Sequence, residues 1–573
     1  MSLRVVSFFG IFFLIGLGWL ASKNRKAINW HTVFWGLGIQ FVFALLVLKT
    51  DAGREVFDVA SDGMRTLISF ADRGAEFVFG PLYRGIPGNF DNPDASIIHV
   101  FNPKTGVHEP MGFVIFLNAL MPIIFFASLM SVLYHLGVMK FIISFMAKGM
   151  HKLMQTSGSE SLSASANIFV GQTEAPLVVK PFLESMTKSE LHAIMAGGFA
   201  TVAGGVLAVY VAFGIDPGHL LAASVMSAPA ALVAAKLFYP ETEQSVTAGE
   251  VKVELKSESV NVIDAACQGA SDGMKLLLNV AAMLIAFLAL IALVNHGIGA
   301  IDEWVRGPAF DPETGKQLRE ALSLEFIFGK LFYPIGIGIG IDSSEAGAFG
   351  SLLGKRLVAN ELLAYIDLMN NTSLSPRTYV LATYAFCGFA NLGSIAIQIG
   401  GIGAIAESRK KDLARLGMRA MFAGTLASLF TATMVGVLLT DEEMAFQHYR
   451  HRAVQVTDHH YQKKIDYLAH FIDGYPEADE SDRSLVQSEV NGLKKSALVE
   501  VSAIANELST KRESLSSGKI ELLQNRLRQM GTPAALKLLE DSKKKPEPAP
   551  AKRLEPEKKQ APNPPVEAPP TLP

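Results

Sequence analysis

Up to about residue 440 the chain is a succession of apolar runs long enough to cross a bilayer, and that alone leaves few architectures open. Lipid offers a backbone no hydrogen-bond partners, so only helices or closed barrels can span it. A helical span takes about 20 apolar residues. Eight runs qualify: Val5–Ala21, Val33–Leu48, Phe113–Leu136, Leu191–Phe213, His219–Phe238, Leu276–Val294, Tyr379–Ile405 and Ala420–Leu439. The expected fold is an all-α polytopic membrane protein. Residues 441–573 differ, being charged and, towards the end, Pro-rich. The net charge of −3 averages two unlike parts and leaves no nucleic-acid footprint. Cys267 and Cys387 lie in or beside apolar segments, which argues against a disulfide framework or a cysteine zinc site. Arg4 before the first run resembles a signal peptide, but the stronger positive charge follows the run, at Lys23, Arg25 and Lys26. The run is read as a retained first span.

Two further apolar segments are interrupted. Ser161–Phe182 contains Asn167-Ile-Phe-Val-Gly-Gln-Thr-Glu-Ala-Pro176, where Gly171 and Pro176 oppose a continuous helix. Leu324–Leu363 contains Pro334, alternating glycines at 336, 338 and 340, a polar patch from Asp342 to Glu345, and Asn360-Glu361. Both are read as re-entrant hairpins, since broken backbone survives at membrane depth only beside protein or a watery cavity. Residues 52–77 and 260–273 read as interfacial amphipathic helices. With eight crossings and two hairpins, Lys23, Lys140, Lys148, Lys152, Lys180, Lys188 and the cluster Arg409–Arg419 all fall in the cytoplasm. Both termini then face outward. The reading requires both hairpins to be re-entrant.

An internal repeat agrees with this topology. Gly198-Phe-Ala-Thr-Val-Ala-Gly204 is similar to Gly388-Phe-Ala-Asn-Leu-Gly-Ser394, and each copy follows an interrupted hairpin. The two hairpins open to opposite sides. Inverted repeats whose discontinuous helices meet at the midplane characterise secondary transporters. The parts expected are scaffold spans with an interfacial helix (1–136), a first repeat (137–240), an interfacial helix with the sixth span (241–323), a second repeat (324–440), a soluble helical extension (441–540) and a disordered tail (541–573).

The chemistry is expected where the hairpins meet. An intramembrane carboxylate is costly and marks a functional site by default. Glu174 and Glu361 are the central pair, with Lys355 as another candidate partner for Glu361. Gln172, Thr173, Asn360, Asn391 and Ser394 add donors and acceptors suited to a neutral, hydroxyl-rich or heterocyclic solute. A dicarboxylate would call for arginine, and only Arg356 lies in these segments. Phe389 could stack on a ring. Asn167 and Thr201 suit a cation bound with unwound carbonyls, although spacing serves a helix cap at Asn167 equally well. The glycine alternation at 336–340 is no phosphate cradle, and the histidines at 448, 451, 459, 460 and 470 match no standard metal spacing. No nucleophile–base pairing points to an enzyme.

These residues resemble the concentrative nucleoside transporter family. Thr156 to Leu177 is similar to the family's first hairpin. Gly354-Lys355 with Asn360-Glu361-Leu-Leu-Ala-Tyr365 resembles its second signature, departing at Leu362 and Leu363. Gly388 to Gly403 resembles its seventh helix. The resemblance implies a homotrimer in the inner membrane, eight crossings and two hairpins per protomer, and sodium–nucleoside symport. It implies nucleobase contacts at Gln172, Thr173 and Glu174 with Phe389 against the base, and ribose contacts at Glu361, Asn391 and Ser394. It implies sodium at the side chains of Asn167 and Thr201 and the carbonyls of Val170 and Val202. Proton coupling or another polar solute are the alternatives. The segment after 440 goes beyond the family pattern, and its partner is not read from sequence.

Overall fold

A computed structural model describes residues 2–83, 99–102, 107–110, 114–248, 259–309, 319–455, 460–510 and 517–543. The tail expected to be disordered lies outside it from residue 544.

Helices α1 (Leu3–Ala21), α2 (Trp30–Lys49) and the amphipathic α3 (Asp51–Phe79) open the chain. A short antiparallel ribbon, β1 (His99–Asn102) with β2 (Val107–Pro110), follows in this otherwise helical chain. Then come α4 (Ile115–Asn118), α5 (Pro122–His135), α6 (Val138–Met154), α7 (Gly158–Ala166), a 3-10 turn (Ala175–Phe182), α8 (Lys188–Ala200), α9 (Gly204–Ala212), α10 (Pro217–Phe238) and α11 (Val262–Arg306). The second half holds α12 (Leu324–Ile339), α13 (Ala346–Val358), α14 (Glu361–Asn370), α15 (Pro376–Phe386), α16 (Leu392–Ile405) and α17 (Lys410–Leu438). Beyond them lie α18 (Asp441–Gln455), α19 (Tyr461–Gly474), α20 (Glu480–Thr510), α21 (Ser517–Met530) and α22 (Pro533–Lys543).

Among the described residues, seven helices or helix pairs are long and apolar enough to cross a membrane. The remaining expected span, 379–405, is cut into α15 and α16 at residues 387–391, so neither half reaches that length. The span 191–213 is likewise cut between α8 and α9. The interfacial helix expected at 260–273 is the first part of α11, a single helix of 45 residues. At 1.5 Å per residue such a helix is about twice the hydrocarbon thickness, so it must project past the bilayer. Gly269 and Gly273 seat it on α5, where an added Cβ would fall 2.6 Å from Ala127 O and 2.8 Å from Ile124 Cα. Small residues let helices approach this closely in lipid.

The segment 324–363 holds two reversals rather than one. Helices α12 and α13 run antiparallel in close contact: Gly336 faces Ala346, and Gly354 faces Phe328. The chain turns back again between α13 and α14, where Lys355 pairs with Asp367 across the bend. Asn360-Glu361 sits at this second reversal.

Polarity is inverted relative to a water-soluble protein. Phe8, Phe12, Phe34, Phe141, Phe145, Ile285 and Leu293 are exposed, while Arg356, Asn167 and Gln398 are buried. That pattern suits lipid outside and a polar centre inside.

The chain divides into two compact units, Met1–Asp458 with Lys464–Val490, and His459–Lys463 with Asn491–Pro573. The division therefore does not fall at 441. In the first unit α18 is tied down: Asp441 accepts from Arg377 at 2.9 Å, Glu443 from Lys49 at 2.5 Å, and His451 lies 3.0 Å from Asp216. The second unit has its own small core of Ala497, Val501, Ile504, Leu523, Leu527, Met530, Ala535 and Leu539. Truncation separates the two. A chain ending at Val490 is expected to keep uptake within about twofold of the full protein, because the second unit packs around a core of its own. A chain ending at Thr440 strips three partners from the membrane body and is expected to lose thermal stability. Initial uptake rates and melting curves of both truncations check this.

Candidate functional site

The site is built where four helices stop short. Helix α7 starts at a capping box: Ser157 Oγ accepts from Glu160 N, and Glu160 returns a bond from Ser157 N at 3.0 Å. Glu160 also pairs with buried Lys236 of α10, which anchors the base of the first hairpin. The helix ends at Ala166, and residues 167–174 form turns before the 3-10 segment bearing Pro176. This irregular stretch lies directly on α8, because the facing residues are glycines. A Cβ on Gly197 would sit 3.1 Å from Asn167 Nδ2, and one on Gly198 would sit 2.9 Å from Gln172 Cβ.

The two repeat copies sit at the breaks of their helices rather than inside unbroken ones. Helix α8 stops at Ala200 and restarts as α9 at Gly204, whose N–H donates to Phe169 O at 3.2 Å. Helix α15 stops at Phe386 and restarts at Leu392. The breaks cross each other. Phe389 N donates to Thr201 O at 3.3 Å, and Gly388 packs on the end of α8. Buried Arg356 steadies the crossing, donating to Gly388 O at 3.1 Å and to Ser428 Oγ at 3.2 Å.

Two restarting helices aim their N-termini at this crossing. Asn360 caps α14, accepting from Leu363 N at 3.0 Å, and Asn391 caps α16, accepting from Ser394 N at 2.8 Å. Such ends carry partial positive charge. Glu361, first residue of α14, is buried there. Its Oε1 accepts from Tyr210 OH at 2.7 Å and its Oε2 from Asn391 Nδ2 at 3.2 Å. From the first hairpin, Gln172 Nε2 donates to Ser394 Oγ at 3.1 Å. A continuous polar line thus runs Gln172–Ser394–Asn391–Glu361, from one broken hairpin to the other.

Of the residues expected at the site, Gln172, Glu361, Asn391 and Ser394 are joined in this line. Phe389 flanks it at the crossing, half-buried. Thr173 packs its methyl against Gly401 of α16, where a Cβ would be 2.7 Å away. Glu174 stands apart: it is exposed, with its carboxylate turned back over Gly171. Lys355 is not the partner of Glu361 and bonds Asp367 instead. Asn167 ends α7 and donates Nδ2 to Ser163 O at 3.1 Å, so it does not cap a helix start. Its Oδ1 is buried with no donor among the described residues. An orphaned buried oxygen is costly, and it fits a cation ligand. Thr201 Oγ1 donates to Gly197 O at 3.0 Å, which leaves its lone pairs free. Val170 and Val202 lie in the two non-helical stretches, 167–174 and 201–203.

Sequence reasoning missed Tyr210 and Gln398. Gln398 donates to Gln172 Oε1 at 3.0 Å. It stands one helical turn after Ser394 on the same face, so spacing could have found it. Tyr210 lies within an apolar run, where nothing local marks its hydroxyl.

Broken helices, facing half-helix N-termini and a polar line between them define a polytopic membrane transporter. Family models described as Na+ dependent nucleoside transporter, N-terminus and C-terminus, match residues 9–82 and 219–436, and one described as nucleoside recognition matches 116–216. An uncharacterised transporter of Haemophilus influenzae is 42% identical over 440 residues, covering 76% of this chain and 97% of that protein. Rat solute carrier family 28 member 3 is 41% identical over 453 residues, 76% of this chain and 59% of its own length. The solved structure of CNTnw in an inward-facing substrate-bound state is similar at TM-score 0.66 and 40% identity, covering 76% of this chain and all of that one. The chain belongs to the concentrative nucleoside transporter family, whose members are transporters and not enzymes. The family models end at 436, before α18.

Proposed function

We propose that this protein is a sodium-coupled nucleoside symporter working by alternating access in the cytoplasmic (inner) membrane, as a homotrimer with both termini outward. The observation that carries the reading is the line Gln172–Ser394–Asn391–Glu361 bridging the two broken hairpins. Glu361 accepts hydrogen bonds on both oxygens and keeps lone pairs for sugar hydroxyls. Gln172, with Thr173, Glu174 and Phe389, takes the base. Sodium binds at Asn167 Oδ1, Thr201 and the carbonyls of Val170 and Val202, tying the first hairpin to the break of α8–α9. Gln172 follows Asn167 by five residues in the same irregular stretch, so ordering one orders the other, and each ligand raises the affinity of the other. The two hairpins with their broken helices form the moving part, and the early spans with α11 the scaffold. The membrane potential contributes about 2.3 kcal/mol per charge per 100 mV.

Uridine uptake into proteoliposomes tests this, with an inward sodium gradient set against an equal choline gradient. An overshoot in sodium alone is expected. Equal overshoot in both would move the reading to protons, and the absence of uptake of any nucleoside would sink it. Replacing Asn167 by alanine is expected to raise the half-saturating sodium concentration about tenfold or more, the worth of one good ligand. Unchanged sodium activation in that variant would refute the cation assignment.

A further inference from the structure

Gln398 lies in the middle of α16, fully buried beside the polar line. Its Nε2 makes two bonds at once, to Met195 O of α8 at 3.1 Å and to Gln172 Oε1 at 3.0 Å. A backbone carbonyl can only accept. The amino end of the Gln398 amide must therefore face Met195, since the reverse orientation would set two acceptors against each other. Gly198 makes this approach possible, because a Cβ there would lie 2.9 Å from Gln398 Nε2.

The consequence passes along the line. With a donor facing it, the Gln172 amide must present its oxygen to Gln398 and its nitrogen to Ser394. Ser394 Oγ accepts from Gln172 at 3.1 Å, which frees its own proton to be donated outward. One N–H of Gln172 is also left over. The Gln172–Ser394 edge of the site is thus a donor surface, set by a buried carbonyl on α8. The opposite side is an acceptor surface. Asn391 uses its Oδ1 on the α16 cap, so its Nδ2 must turn to Glu361, and Glu361 offers only lone pairs.

We propose that Gln398 is a specificity-determining positioning residue: it locks the Gln172 amide so that the site meets acceptor atoms of the nucleobase while Glu361 meets the sugar hydroxyls. The proposal rests on the nucleoside reading above and deepens it. Uridine and cytidine exchange donor and acceptor along one ring edge, so they sense the direction of a facing amide. Once Gln398 is replaced by methionine, of similar length and without a donor, Gln172 can adopt either orientation.

The test is the ratio of uptake efficiency, Vmax/KM, for uridine and cytidine in proteoliposomes under a sodium gradient. Gln398→Met is expected to shift that ratio by about threefold or more, one hydrogen bond's worth of discrimination, with sodium activation unchanged. Equal losses for both nucleosides, or no change, would overturn the proposal, since a packing role scales both alike. Should Gln398→Met not fold, Gln398→Asn keeps the amide but shortens its reach, and the same shift is expected. Gln172→Ala serves as reference. If it moves the ratio and the Gln398 variants do not, this inference fails alone. If it leaves the ratio untouched, the base assignment fails with it, and if the unaltered protein carries no nucleoside the functional reading fails.

Discussion

Glu361→Ala is expected to lower nucleoside uptake efficiency about 100-fold or more. The carboxylate accepts from Tyr210 at 2.7 Å and from Asn391 at 3.2 Å, and all three groups are buried. Alanine leaves a hydroxyl and an amide without partners, each costing about 1–3 kcal/mol. It also removes the charged acceptor for the solute's hydroxyls, a charge-assisted bond of about 1.5–3 kcal/mol. About 1.4 kcal/mol is a factor of ten, so two such losses suffice. Glu361→Gln keeps the shape, and its amide can accept from Asn391 while donating to the Tyr210 hydroxyl oxygen, but it loses the charged acceptor offered to the solute. It should lie between the alanine variant and the unaltered protein. Initial rates of labelled uridine uptake, normalised to folded protein, measure both variants. Uptake by Glu361→Ala within threefold of the unaltered protein would remove this carboxylate from the site.

Gly388→Ala is expected to cost the fold about 3 kcal/mol or more, through strain at one residue. Gly388 holds φ of +152° where the breaks of α8 and α15 cross, and an added Cβ would fall 2.7 Å from Phe199 O and 2.8 Å from Ala200 O. Those atoms are backbone and cannot swing aside. The carbonyl of Gly388 is also held by Arg356, so the link cannot rotate to relieve the contact without baring a buried guanidinium. Gly16→Ala is the control: among the described residues nothing lies within 4 Å of a Cβ there, and in a helix alanine is about 0.5–1 kcal/mol better than glycine. Melting of the detergent-solubilised proteins should separate the two sharply. A Gly388→Ala protein as stable as the unaltered one would contradict the crossing geometry.

The breaks were legible because their causes are local. Gly171 and Pro176 disrupt a helix wherever they are placed, and Asn360 and Asn391 are helix-start residues beside apolar runs. The repeat motif was visible too, but not its meaning, since sequence similarity places two segments in correspondence without saying that both helices stop there. Lys355 looked like a partner for Glu361 because the two are close in sequence. Across a reversal, however, the residue opposite 355 is Asp367. Glu174 looked equivalent to Glu361, yet the carboxylates differ in surroundings: one is exposed beside Gly171, the other buried between Tyr210 and Asn391. The extension looked like a separate domain from 441 because its composition changes there. Composition reports the solvent a helix meets, whereas α18 is held by three contacts to residues far away in sequence.

What the amino-acid sequence determined by itself was the solvent and the punctuation: apolar length requires lipid, and glycine, proline and capping residues decide where helices end. Those effects act within a few residues. Which broken ends meet, which carboxylate is enclosed, and which way the Gln172 amide points depend on contacts between residues up to 226 positions apart, as with Gln398 and Gln172. Buried polar groups must pair with whatever the fold brings beside them, so only the tertiary structure could decide these.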